Sequence, residues 1–176
     1  AVPAIISNIT VPLLGLVDIA ITGHLGKTAY IGAIALGTLF FNILYWNFGF
    51  LRMGTSGLTA QAFGKGDNRL MVQVLVQVIG VGLIASVMIL MLQSPLKKIA
   101  FILLDPSVEI QHYALTYINI LIWGVPAMLV LFGFYGWFIG MQNSRYQMYI
   151  AISINVVNIA FSFIFVYGFD MKIEGV

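Results

Sequence analysis

Cysteine is missing from this chain and charge nearly so: of 176 residues none is Cys, and Asp, Glu, Lys and Arg together make up 8%. The first absence rules out disulfides and thiolate metal sites. The two histidines stand far apart in the sequence, which argues against zinc, and no other metal site is expected. The second absence rules out an ordinary soluble domain, in which about 25% of residues are charged. A net charge of +2, spread over scattered basic residues, gives no surface for nucleic acid.

What remains is apolar. The chain is 61% hydrophobic with a mean hydropathy of +1.02. Long apolar runs separated by short polar breaks predict an all-α, polytopic membrane protein, since the runs are too long and too unalternating for a barrel. The expected spans are residues 2–23, 31–64, 70–92, 108–140 and 146–168. Between the third and fourth, residues 95–105 contain Lys97, Lys98 and an apolar run too short to cross, which predicts an interfacial helix. HLGKTAY, GKGDNR and MQNSR are the turns. The chain starts on Ala1 and its final MKIEGV leads toward a further apolar run, so it reads as a piece of a longer protein, a partial transmembrane lobe. The first span is too long for a signal peptide, lacks a basic leader and contains an acid.

That acid is Asp18. At the middle of a span a carboxylate costs about 2.5–3.5 kcal/mol, so it must face other helices or water, or be protonated. It is therefore either a functional site or a structural acid satisfied by neighbouring helices. Pro3 and Pro12 remove backbone donors from the same span and should bend it. On the fifth span Asn155, Asn158 and Ser162 are spaced i, i+3, i+7 and form one polar stripe. At 1.5 Å per residue, Asp18 lies about 9 Å in from His24, Ser162 about 9 Å in from Gly168, and Asn158 about 15 Å. The three share a depth, and the stripe can hydrogen-bond the acid or simply join helices.

Arg52 falls about 32 Å along the second span from Ile31, near the opposite face, so it reads as a structural charge that snorkels or pins a loop. Asn42 and Tyr45 on the second span, with Trp46 and Asn47 beside them, Asn119 and Trp123 on the fourth and Asn155 on the fifth are candidates for a substrate cavity, each alone equally explained by packing. Gly136 and Gly140 permit close helix contact. Gly54-Thr55-Ser56-Gly57 matches the pattern of an intramembrane serine protease, but neither His24 nor His112 lies at the depth of Ser56, so no enzyme is expected. Asn8-Ile9-Thr10 is a glycosylation sequon in form only, because it lies inside a span. Basic residues divide three against four between the two sets of loops, and charge alone fixes no orientation.

VPLLGLVDIAITGHLG (11–26), FLRMGTSGLTAQAFGKGD (50–67), FIGMQNSR (138–145) and NVVNIAFSFIFVYG (155–168), with the closing KIEGV, resemble the multidrug and toxic compound extrusion (MATE) transporters, most closely their bacterial DinF-type branch. Members of that family have twelve helices in two six-helix lobes, and this chain looks like helices one to five of the N-terminal lobe. The resemblance implies a secondary active antiporter of the bacterial cytoplasmic membrane that expels organic, often cationic, compounds in exchange for protons or sodium. It implies a cytoplasmic N-terminus, Asp18 as the coupling carboxylate, Pro3 as the bending proline and Asn158 as the asparagine accompanying the acid. Ser162 departs from the pattern, since many relatives carry a second aspartate there. A hard cation prefers carboxylate oxygens, so protons are the expected coupling ion over sodium, with no cofactor. The expected partners are the bilayer, a small organic substrate and the rest of the same chain. Two other readings are a flippase for lipid-linked precursors, which would want several basic residues in its cavity, and a non-transporting helical scaffold.

Overall fold

The computed structural model describes residues 28–165; Asp18, Pro3 and Pro12 lie outside them. Among the described residues every regular element is helical: α1 (Thr28–Asn47), α2 (Gly49–Gly64), α3 (Asn68–Met91), α4 (Gln93–Leu104), α5 (Val108–Leu121), a 3-10 turn (Ile122–Gly124), α6 (Val125–Gly140) and α7 (Ser144–Phe163). Three stretches are long and apolar enough to cross a membrane, namely Ala29–Gly64, Asn68–Met91 and Val108–Gly140, with mean hydropathies of 1.5, 2.6 and 2.0. α7, which carries Arg145, Gln147, Asn155 and Asn158, is not among these three. The chain is an all-α polytopic membrane protein. Its large exposed side chains, such as Val76, Ile84 and Met91 on α3, give it the apolar outer surface expected of such a protein.

Local chemistry sets the helix ends. Between α2 and α3, Gly66 takes a φ of +69°, its N–H donates to the Phe63 carbonyl, and the Asp67 N–H donates to that of Ala62 at 3.1 Å. This left-handed stop needs glycine, and it satisfies carbonyls left open by the last turn. Asp67 then caps α3, its carboxylate accepting from the Leu70 N–H at 2.9 Å. In the fourth span the chain tightens to a 3-10 turn just before Pro126, where the missing proline N–H breaks the α-helical ladder.

The second span is not one continuous helix. At Phe48 (φ −100°, ψ 7°) the ladder shifts to three-residue bonds, Phe48 N–H to Tyr45 carbonyl and Leu51 N–H to Phe48 carbonyl, both 3.0 Å, so α1 and α2 meet at a break. Gly49 lowers the helix propensity there. Aromatic rings stack around the break, Phe41 on Tyr45 at 5.7 Å and Phe48 beside Phe50 at 6.2 Å.

The tightest packing joins α6 to α2 and to α3, and α1 to α5. Glycines create the first contact. A Cβ on Gly136 would collide with the Arg52 carbonyl, and one on Gly140 would stand 2.6 Å from Thr59 Cβ and 2.7 Å from the Ser56 carbonyl. The Trp137 indole N–H ties α6 to α3 by donating to the Met71 carbonyl at 2.9 Å. Ile118, Ile122, Val125 and Leu129 are wholly buried and run down the centre of the bundle.

Candidate transport site

Polar side chains collect in two places on this scaffold. The first is α7. Asn155 and Ser162 are buried, with relative exposures of 7% and 3%, and Asn158 is half-buried between them. The Ser162 hydroxyl donates to Asn158 Oδ1 at 3.5 Å, one turn away. Asn155 Nδ2 has no hydrogen-bond partner; with Thr59 Oγ1 it is one of two such buried side-chain atoms among the described residues. An unmet buried donor costs about 1–3 kcal/mol, so an acceptor set against this amide would be stabilising. The oxygens of Asn158 and Ser162 are neutral, and α7 therefore offers a cation no carboxylate here.

The second is a cavity of about 650 Å³ at the break between α1 and α2. It brings together Asn42 and Tyr45 with Arg52, walled by Trp46 and Phe132. Tyr45 meets the Phe132 ring edge to face at 6.1 Å, and the Arg52 guanidinium carbon lies 5.9 Å over the Tyr135 ring. Arg52 thus lines a cavity and lies against an aromatic ring.

The other cavity candidates lie elsewhere. Asn119 accepts a hydrogen bond from Lys97 Nζ and lines a separate recess between α4 and α5. Trp123, in the 3-10 turn, is 69% exposed. Asn155 does not line the Asn42–Tyr45 cavity. Asp18, Pro3 and Pro12 fall outside the described residues, so the expected meeting of Asp18 with the α7 stripe has no geometry here. Ser56 sits on α2, whose chief partner is α6, whereas His112 is on α5 with its ring against Tyr113 at 5.5 Å.

Sequence reasoning missed two features. Arg52 shares the cavity with Tyr45 because positions 45, 49 and 52 fall on one side across the break, an i, i+4, i+7 pattern that was available to read. Lys97 reaches Asn119 across 22 positions, which no local spacing signals.

A bundle of membrane-crossing helices with a buried polar face on one helix and an aromatic cavity between others defines the class: a polytopic helical membrane protein with polar groups in its interior. Residues 3–164 match the MatE family, and the chain belongs to that family. It is 36% identical over 175 residues to the DNA damage-inducible protein F of Escherichia coli (strain K12), which covers 99% of this chain and 38% of that protein. It is 28% identical over 169 residues to a probable multidrug resistance protein NorM of Bradyrhizobium diazoefficiens, covering 96% and 36% respectively. The fold matches the crystal structure of a MATE protein in complex with MaD5 with a TM-score of 0.81 at 20% identity, over 99% of this chain and 39% of that one. The chain thus spans less than two-fifths of the length of these relatives.

Proposed function

We propose that this chain forms most of the N-terminal lobe of a secondary active antiporter that exports small organic compounds in exchange for protons, with Asp18 as the coupling carboxylate. Family membership supports the efflux class, and the proteins named multidrug resistance protein NorM among its relatives support organic compounds as cargo. The observation that carries the site is Asn155: its buried, unpartnered amide lies on the same face of α7 as the Ser162–Asn158 pair. A carboxylate at the depth of that stripe would accept from it, and protonation would remove one acceptor site and one charge. A two-state equilibrium of the span that carries Asp18 is what such a switch would bias.

Ser162 adds a hydroxyl where a second acid would strengthen a cation site, which favours protons over sodium. Substrate rings find aromatic faces on Tyr45, Trp46 and Phe132. The Arg52 guanidinium at that cavity repels a cationic group, so the positive end of a cationic substrate is assigned to the Asp18 side. In this reading residues 1–176 supply five helices of a six-helix lobe, with the N-terminus in the bacterial cytoplasm, and alternating access needs a second lobe.

The test is export of a fluorescent organic dye from vesicles containing the full-length protein under an imposed proton gradient, an imposed sodium gradient or neither. Proton-driven export supports the reading. Sodium-driven export would show that Ser162 does not prevent sodium coupling, and export in neither case would favour a flippase or a scaffold.

A further inference from the structure

The short helix α4 carries a second constellation that the transport reading does not use. Its twelve residues rise about 18 Å, too short to cross a bilayer, and it begins directly after α3, a span of 24 residues. α4 therefore starts at the membrane boundary, the level at which lipid phosphates sit.

On one side of α4, Lys97 Nζ donates to Gln93 Oε1 at 2.9 Å and to Asn119 Oδ1 on α5. Both acceptors are neutral amides. They fix the ammonium in place and use two of its three N–H donors, yet leave its charge uncompensated. Among the described residues neither Lys97 nor Lys98 forms an ion pair. Both line a recess of about 680 Å³ between α4 and α5, with Ser94 and Gln111 as further polar groups and Phe101 and Leu115 as apolar wall. Asp105 lines it too, so the ionised groups there are two ammonium ions and one carboxylate, a net charge of +1. That balance suits a monoanion. A phosphodiester carries a single negative charge, whereas a free phosphate or phosphomonoester carries nearly two and meets Asp105 at greater cost. At the edge of the recess Ile102, which lines it, is 79% exposed and offers apolar surface for an acyl chain.

We propose that the recess between α4 and α5 binds the phosphodiester headgroup of an anionic membrane phospholipid through Lys97 and Lys98. The bound lipid bridges α4 to α5 from outside the transport cavity. A polar pocket with one fixed ammonium separates this from general snorkelling of lysines, which would hold no lipid in preference to another.

The experiment counts lipids retained by the full-length protein in neutral detergent, by native mass spectrometry, during titration with phosphatidylglycerol, phosphatidylcholine or soluble glycerol 1-phosphate. A single phosphatidylglycerol should be retained in preference to phosphatidylcholine and should resist millimolar glycerol 1-phosphate. Lys98 is exposed, so Lys98→Gln leaves the fold intact, and it should weaken retention about fivefold, the effect of one lysine near an anionic surface. Lys97→Arg keeps the charge and should keep the lipid, and Lys65→Gln in the opposite loop should change nothing. Undiminished retention in Lys98→Gln, or equal retention of phosphatidylcholine, overturns the proposal. Displacement by glycerol 1-phosphate overturns it in favour of a soluble phosphate ester.

Discussion

Gly140 on α6 and Thr59 on α2 meet with no room for a methyl group between them: a Cβ on Gly140 would lie 2.6 Å from Thr59 Cβ and 3.0 Å from the Ala60 nitrogen. Thr59 is wholly buried at this contact. Because the atoms that would be struck include backbone, neither helix can yield by turning a side chain.

Gly140→Ala and Gly136→Ala should therefore each destabilise the protein by about 1–3 kcal/mol, the usual cost of overpacking. Gly54 and Gly57, on the other face of α2, have nothing within 4 Å of a built Cβ. Gly57→Ala should be neutral or stabilise by up to about 1 kcal/mol through helix propensity. Thermal unfolding of the three variants in detergent checks the contrast, and equal melting temperatures would dissolve the account of α2–α6 packing.

Trp137 holds α6 to α3 through a single polar bond to the Met71 carbonyl. Trp137→Phe retains a ring and loses the donor. A stability loss of about 0.5–1.5 kcal/mol is expected, near the net worth of one hydrogen bond. Denaturant unfolding compared with Trp123→Phe, whose side chain is 69% exposed, isolates the bond from the general cost of losing an indole.

How much of this was legible in the sequence depends on the range of the interaction. The all-α class follows from composition, and the stop at GKGDNR from Gly66 and Asp67, because these signals are local. The pairing of Gly136 and Gly140 with another helix follows from their spacing, although the identity of that helix does not. The break at Phe48 escapes a count of apolar residues, since neither a proline nor a charge marks it. A depth measured along a straight helix places Arg52 along the span but does not reveal that its side chain lines a cavity with Asn42 and Tyr45. Asn119 was grouped with those residues by type alone, and only the tertiary contact with Lys97 separates it.

Arg52 gives a prediction about cargo. Its side chain lines the cavity, while its backbone carbonyl carries the contact with Gly136. Arg52→Gln should leave the α2–α6 contact in place and remove a cation–π interaction worth about 0.5–2 kcal/mol. Export of cationic dyes should rise relative to anionic dyes of similar size. A selectivity ratio that does not move would remove Arg52 from the substrate path.

Asn155 separates packing from coupling. If its buried amide serves only to join helices, Asn155→Leu removes an unmet polar group and should cost nothing or stabilise the protein. The transport account instead expects a loss of gradient-driven export with little change in expression or melting. Parallel measurement of melting temperature and dye export decides between them.

The most direct test of the central claim is dye export by the full-length protein carrying Asp18→Asn, which keeps the size of the side chain, imitates its neutral, protonated form and removes its titration. Under an imposed proton gradient the variant should insert and fold as the wild type does but export at the level seen with no gradient. Full proton-driven export by Asp18→Asn would contradict the role of Asp18 as the coupling group.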